Sequence, residues 1–176
     1  FQEVDFETMF APLAKWSVEI RDPDRMVEII NQAANIATSG RPGPVVISLP
    51  EDMLTKACNT RPFAQLRPVT HRINKKFSQD IAARLSQADK PLVLVGGTSF
   101  DATAAKRLTQ ICEDAQIPII SAFRRQSLID HRSPAYVGVL GLGPDPKLLE
   151  KIAQSDCILA LGTRLGDIVS QGYTLS

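Results

Sequence analysis

Hydrophobic residues recur along this chain with two spacings, and segments of one spacing alternate with segments of the other. The first helical pattern begins at Asp22, which can cap the helix, continues through Pro23 with apolar residues every three or four positions, and stops at Gly40. Three further helical patterns cover 78–88, 101–115 and 145–154. Short continuous apolar runs predict buried strands at 45–49, 92–95, 117–120 and 157–161.

The order of these elements in the second half of the chain predicts its fold class. Helices alternate with strands that are apolar on both faces, which is typical of an α/β domain. We therefore expect an open, mostly parallel Rossmann-like sheet with helices on both faces. Ser78 is the expected cap of its first helix, and Pro118 indicates that its strand begins there or lies at an edge.

Two segments lack this periodicity. Between residues 56 and 77, prolines and basic residues stand in a polar context, so we interpret the segment as a linker. The linker 56–77 divides the chain into residues 1–55 and a domain at 78–176. The stretch YVGVLGLGP at 136–144 has too many glycines for a regular helix or strand, and it is either a flexible connection or backbone exposed at a cleft.

Composition and charge change this picture little. Of the 176 residues, 44% are apolar and 22% are charged, as in ordinary globular domains. Lysine and arginine number 20 against 19 acidic residues, so no net field favours nucleic acid or an anionic membrane. No apolar run is long enough to cross a bilayer, and the acidic first residues are unlike a signal peptide.

The cysteines and histidines suggest no separate chemistry. Three distant cysteines without a C-x-x-C pair indicate neither a zinc site nor a disulfide framework, and they fit a reducing cytoplasm. Cys112 and Cys157 lie in apolar patterns and are expected to be buried. His71 and His131 stand apart from nucleophile partners, so each is expected to be structural or exposed, and we expect no metal site. The chain starts at Phe1 without an initiator Met, and both ends look cut.

Two strand ends carry residues suited to binding phosphate. Gly96 and Gly97 follow the strand at 92–95 and precede a helix, which is the arrangement of a phosphate-binding turn and also of an ordinary tight turn. Arg164 follows the strand at 157–161, at the edge where open α/β sheets bind ligands. Its guanidinium is the favoured phosphate contact, and the alternative is a solvated or salt-bridged side chain.

Six segments carry a family resemblance when they are taken together. They are FQE at 1–3, KW at 15–16, TSGRPGPVVISLPEDM at 38–53, LVLVGG at 92–97, YVGVLGLG at 136–143 and ILALGTRLGD at 158–167. In this order they resemble the acetolactate synthase large-subunit family of thiamine-diphosphate-dependent enzymes. The resemblance covers nearly the whole chain, and it implies the end of a pyrimidine-binding domain in 1–55 and most of a central domain in 78–176.

The resemblance also implies roles for particular residues. Phe1 and Gln2 would line the active site beside the thiamine ring or the substrate, and Lys15 would lie near the substrate channel. Five residues would surround the nucleotide site of the central domain, which holds FAD in some members, ADP in others and nothing in the rest: Gly96, Gly97, Gly138, Gly141 and Arg164.

The activity implied by the resemblance is attack of thiamine diphosphate, held with Mg²⁺, on a 2-keto acid, followed by decarboxylation and often by ligation to a second carbonyl. Such an enzyme is a lyase or transferase, and the resemblance implies a homo-oligomer. The family's catalytic glutamate would precede Phe1, and its G-D-G metal motif would lie in a third domain. The chain is therefore expected to be a fragment that is inactive alone.

The chain departs from the flavin-binding members in two places. Where they tend to read G-M-L-G-x-H-G, this chain has GVLGLGP without the histidine, and SAFRRQSLID at 121–130 replaces a shorter T-x-M-G segment. Both departures favour ADP over FAD. Arg124 and Arg125 add either phosphate contacts or a subunit salt bridge. Two alternatives remain open, namely a free-standing Rossmann-like nucleotide-binding or regulatory module and a structural spacer with an empty pocket.

Overall fold

The structure, a computed structural model, describes residues 3–60, 73–98 and 100–175. The chain divides into two compact units, Phe1–Arg72 and Ile73–Ser176, and this division falls inside the predicted linker 56–77. Phe1, Gln2 and His71 lie outside the described residues, as do the other residues of 61–72.

The first unit contains a pair of parallel strands connected by a helix. In chain order its elements are α1 at Phe6–Phe10, β1 at Trp16–Glu19, a 3-10 turn at Pro23–Arg25, α2 at Met26–Thr38, β2 at Val45–Ser48 and α3 at Glu51–Leu54. The carboxylate of Asp22 accepts a hydrogen bond from the amide of Asp24 at 3.0 Å, so the helical segment begins where the sequence predicts. Gly40 follows α2 with φ +57°, a conformation that favours glycine.

The second unit alternates helices and strands. Its elements are α4 at Lys75–Gln87, β3 at Pro91–Val95, α5 at Ala102–Asp114, β4 at Ile119–Ala122, a 3-10 turn at Gln126–Leu128, β5 at Tyr136–Leu140, α6 at Pro146–Ala153 and β6 at Cys157–Leu161. The four strands are parallel and lie in the order β5-β4-β3-β6. This sheet confirms the predicted α/β Rossmann-like fold class.

Two hydrophobic clusters cover the two faces of this sheet. Alternate residues of β3 point to opposite faces, so Leu92 and Leu94 join a cluster with Leu148 and Ile152 of α6. Val93 and Val95 join the other cluster with Cys112 of α5, Ile117 and Ile119. β3 and β4 are the most deeply buried strands, and each fully buried aliphatic side chain stabilises the fold by about 1.5–3 kcal/mol.

The prediction of an irregular stretch at 136–144 is wrong in its first half, which forms β5. Tyr136 pairs with Ile119, whereas Gly138 pairs with Ile120, so one residue of β5 is skipped in the ladder. Gly138 has φ +134°, which only glycine adopts readily. A bulge in a strand at the sheet edge therefore explains a glycine-rich pattern that lacks the alternation of a regular strand.

Three smaller expectations also need correction. The cap of α4 is Asn74 rather than Ser78, because the Asn74 side chain accepts a hydrogen bond from the amide of Phe77 at 2.7 Å. Pro118 precedes β4, an interior strand, so of the two alternatives the strand start is right and the edge is wrong. β6 is not buried on both faces, since Ile158 is 43% exposed.

The remaining sequence expectations concern cysteines and membranes. Cys112 is buried as predicted and Cys157 is half-buried. Of the helices in the described part of the chain, none has both the length and the apolar character needed to cross a membrane.

Candidate functional site

The strand order of the second unit creates a switch point at the carboxyl edge of the sheet. From β3 the chain adds β4 and then β5 on one side, after which α6 returns it to place β6 on the other side of β3. The loops after β3 and β6 consequently leave neighbouring strand ends. The chain after β3 packs Cys112 of α5 on one face of the sheet, and the chain after β6 packs Val169 on the other. Ligands of open α/β sheets bind at this kind of crevice.

Gly96 and Gly97 lie at this switch point, in contact with the loop after β6. A Cβ atom added to Gly97 would lie 1.8 Å from the carbonyl oxygen of Gly162, and one added to Gly96 would lie 2.8 Å from the Cβ of Thr163. The amide of Gly96 also donates to the carbonyl of Leu161 at 3.0 Å. Close packing of two loops is thus sufficient reason for both glycines, in agreement with the tight-turn alternative, and it brings Arg164 near the end of β3.

The helix after this turn begins with a carboxylate. Asp101 caps α5, and its Oδ1 accepts a hydrogen bond from the amide of Ala104 at 2.7 Å. The preceding residue, Phe100, packs against the loop after β6, because a Cβ on Gly162 would lie 3.2 Å from its ring. The amide of Ala104, which the phosphate-turn interpretation would offer to a ligand, is therefore engaged by the protein itself.

Arg164 is exposed at the start of the loop after β6. Among the ion pairs formed by the described residues, none includes Arg164, so the alternative of a salt bridge with a neighbour such as Asp167 has no support in the geometry. An exposed guanidinium at a switch point is available to bind an anion, and its planar fork suits a phosphate or carboxylate.

Gly138 and Gly141 lie on the far side of β4 from Arg164. A Cβ on Gly138 would touch Leu148 at 3.4 Å, and one on Gly141 would lie 3.1 Å from the ring of Phe123. Both glycines line an open cavity of about 410 Å³ beside β5, together with Arg124. The guanidinium of Arg124 stands 5.0 Å from the centre of the Phe123 ring, a cation–π distance.

The five predicted nucleotide-site residues therefore form two groups rather than one cluster. Gly96, Gly97 and Arg164 meet at the ends of β3 and β6, whereas Gly138 and Gly141 border β5. β5 and β6 are separated by three strand spacings, or roughly 14 Å at about 4.8 Å per strand.

Lys15 lies in the first unit, where its ammonium group caps the carboxyl end of α2. Its Nζ donates hydrogen bonds to the carbonyl oxygens of Ile36 and of Ser39, the latter at 2.7 Å. Its side chain passes over Gly43, where an added Cβ would lie 3.1 Å from the Lys15 Cδ. A cation at a helix carboxyl end is favourable, and the position of Lys15 near a substrate channel stays a prediction.

The sequence did not predict one polar pair in the second unit. Ser121 is fully buried in β4, and its hydroxyl shares a hydrogen bond of 3.1 Å with the hydroxyl of Tyr136. The ring of His131 stacks on the ring of Tyr136, with the ring centres 4.4 Å apart. His131 also binds the carbonyl of Gln126 at 2.8 Å. These contacts give His131 a structural role, as the sequence suggests. The Ser121–Tyr136 pair depends on the pairing of β4 with β5 and has no local sequence signal.

No group of three or more His, Cys, Asp or Glu side chains in 3–60, 73–98 and 100–175 is arranged to hold a metal ion. Phe1 and Gln2, the predicted active-site residues, lie outside these ranges.

Comparison with known proteins gives a consistent family. Residues 78–176 match the family described as thiamine pyrophosphate enzyme, central domain. The acetolactate synthase large subunit of Parasynechococcus marenigrum is 31% identical over 176 residues, covering 97% of this chain and 28% of that protein. Acetolactate synthase isozyme 1 large subunit of Escherichia coli is 28% identical, over 95% of this chain and 30% of that protein.

A eukaryotic relative agrees with these two. The mitochondrial acetolactate synthase catalytic subunit of Saccharomyces cerevisiae is 30% identical, over 97% of this chain and 26% of that protein. The chain thus spans less than a third of the length of these relatives. The parallel sheet, its switch point and the family match over 78–176 lead to one conclusion: the chain belongs to the thiamine pyrophosphate enzymes, with their central domain in its second unit, and it is similar to acetolactate synthase large subunits.

Proposed function

We propose that this chain forms part of a thiamine-diphosphate-dependent enzyme of the acetolactate synthase type that acts on a small 2-keto acid. The similarity to acetolactate synthases along 95–97% of the chain supports this proposal. When bound, thiamine diphosphate supplies the carbon nucleophile for such a reaction. A homo-oligomer and a cytoplasmic location belong to the same proposal, and the free thiols of all three cysteines fit a reducing compartment.

Within this enzyme the second unit would carry an adenine nucleotide at the switch point, with ADP preferred over FAD. The observation that supports this role most directly is Arg164, whose exposed guanidinium follows β6 beside the end of β3. A charge-assisted hydrogen bond to phosphate contributes about 1.5–3 kcal/mol. Arg164→Ala should therefore weaken ADP binding roughly 10- to 150-fold.

Calorimetric titration of ADP and of FAD into wild type and Arg164→Ala tests this role. Arg164→Lys should restore only part of the affinity, because lysine lacks the bidentate fork. Arg84→Ala is a matched control, since Arg84 lies in the last turn of α4, which leads into the amino end of β3. Equal ADP affinity in wild type and Arg164→Ala rejects Arg164 as the phosphate ligand, whereas no binding to wild type contradicts the proposed nucleotide role and favours a structural spacer.

The catalytic part of the proposal has a separate test. Because the resemblance assigns the family's catalytic glutamate and its G-D-G metal motif to no residue of this chain, we expect these 176 residues neither to decarboxylate pyruvate nor to bind thiamine diphosphate at micromolar affinity with Mg²⁺. Calorimetry with thiamine diphosphate and Mg²⁺, together with a pyruvate decarboxylation assay, measures both. Micromolar binding of thiamine diphosphate would contradict this expectation.

A further inference from the structure

The β6 turn, residues 166–172, folds back on itself and is attached to one face of the sheet. Both the amide and the hydroxyl of Ser170 donate hydrogen bonds to the carbonyl of Gly166, each at 2.9 Å. The side chain of Val169 is buried in the hydrophobic cluster that also contains Leu140 of β5. The turn is therefore closed by its own hydrogen bonds and rests on the sheet.

Gln171 connects the β6 turn to the loop after β5. Its half-buried side-chain nitrogen, Nε2, donates to the carbonyl of Gly141 at 2.9 Å and to the carbonyl of Ile168, within the turn, at 2.7 Å. An amide nitrogen has two hydrogens to donate, so both donors of this side chain are engaged. A single side chain thus joins the loop after β6 to the loop after β5.

The backbone at Gln171 indicates that this side chain is needed. Gln171 has φ +52°, in the left-handed region where a residue other than glycine is strained. Glycine, which the chain has at position 172 with φ +71°, would avoid this strain. Such strain persists where the surrounding structure requires the residue. The two hydrogen bonds of the Gln171 amide are the contacts that a glycine at this position would lose.

Arg164 lies midway between two points at which the loop after β6 is held. Two residues before it, Gly162 packs so closely that a Cβ on Gly97 would lie 1.8 Å from its carbonyl oxygen. Two residues after it, Gly166 begins the β6 turn. We propose that Gln171 is a positioning residue of the switch point, which fixes the β6 turn to the loop after β5 and so holds Arg164 where a phosphate can bind. This inference rests on the proposed nucleotide function.

The test is calorimetric titration of ADP and of uncharged adenosine into the whole 176-residue chain and its variants. Gln171→Met keeps the length of the side chain and removes its donors. It should bind ADP roughly 2- to 10-fold more weakly than wild type, with adenosine affinity unchanged. Gln171→Gly removes the donors and relieves the strained angle, so it should show a similar loss of ADP affinity even where Gln171→Met folds poorly.

Two further variants show whether Gln171 acts through Arg164. In the Arg164→Ala background, Gln171→Met should cause no further loss of ADP affinity, because the guanidinium through which it acts is absent. Gln154→Met is the matched control. The Gln154 amide donates to the Glu150 carboxylate at 3.1 Å on the exposed carboxyl end of α6, so its removal should leave ADP affinity unchanged.

The outcomes separate this inference from the proposed function. Wild-type ADP affinity in both Gln171→Met and Gln171→Gly overturns the inference and leaves the nucleotide role standing. An equal loss of ADP and adenosine affinity, or a further loss in the Arg164→Ala background, also overturns it, because Gln171 would then act on the fold or on another part of the site. No ADP binding to wild type refutes the nucleotide role and the inference with it. A loss confined to ADP and absent in the Arg164→Ala background supports the inference.

Discussion

The contact between Gly97 and Gly162 allows a sharp test of what the glycines after β3 do. Gly97 has φ +71°, and an added Cβ would lie 1.8 Å from the Gly162 carbonyl oxygen. Gly97→Ala should therefore force apart the loops after β3 and β6, whichever ligand is present. If Gly97 served only to admit a ligand, Gly97→Ala would cost the ligand-free protein only the free energy of its strained backbone angle.

The magnitude follows from two separable costs. A left-handed backbone angle costs an alanine roughly 1–2 kcal/mol, offset by about 0.4–1 kcal/mol from the lower entropy of its unfolded chain. Steric overlap with backbone adds about 1–3 kcal/mol, because the neighbouring atoms cannot rotate away as a side chain can. We expect Gly97→Ala to lower the free energy of unfolding of the second unit by about 2–4 kcal/mol.

Two other glycines of the same unit provide matched controls. Gly143 has φ +63° with nothing within 4 Å of an added Cβ, so Gly143→Ala measures the strain alone. Gly166 has open space and no such angle, so Gly166→Ala should be neutral or slightly stabilising. Urea titration by circular dichroism gives the free energies, and exchange of the Gly96 amide, bonded to Leu161, gives the local effect. Equal losses for Gly97→Ala and Gly143→Ala would refute the reasoning.

Three further predictions concern other contacts. Lys15→Met should destabilise the first unit by about 1.5–3 kcal/mol in urea titrations followed by Trp16 fluorescence, because the carbonyls of Ile36 in α2 and of Ser39 just after it lose a charged donor. Backbone amides of the turn before β3 hold the pKa of Asp156 below its ordinary value of 3.8. The stability that Asp156 contributes is therefore present above that pH and is lost as the pH falls through the lower pKa of the folded state. Acid unfolding should consequently be less steep in Asp156→Asn. Burial raises the pKa of the Cys112 thiol to about 11, so a thiol reagent at pH 8 should modify exposed Cys58 quickly and Cys112 only after unfolding.

The sequence predicts most helices and strands because their signals are local. Asp22 and Asp101 stand where a capping residue is needed, and both cap their helices through a carboxylate. The strands β3 and β4 are uniformly apolar because helices cover both faces of the sheet, and such runs are easily recognised. Where local pattern and tertiary packing agree, sequence reasoning succeeds.

The sequence fails where the structure depends on contacts between distant residues. β5 has exposed valines and a bulge at Gly138, and its strand geometry comes from pairing with β4 rather than from its own pattern. β1 was not predicted either, because its four half-buried residues give no clear alternation. The contact of Gly97 with Gly162 joins residues on different loops, so neither glycine alone reveals that the other is needed.

The separation of the two glycine groups bears on which nucleotide this edge can hold. A ligand whose phosphate binds Arg164 at the end of β6 must extend roughly 14 Å, across the ends of β3 and β4, to reach Gly141 beside β5. A compact ligand held at the β3–β6 switch point has no need of the β5 cavity, whereas an extended dinucleotide would have to occupy both. Arg124 and Phe123, which line the β5 cavity, would then contact only the longer ligand. The φ of +134° accounts for Gly138 and the contact with Phe123 accounts for Gly141, so the presence of these glycines does not favour the dinucleotide, and ADP at Arg164 alone stays the proposal.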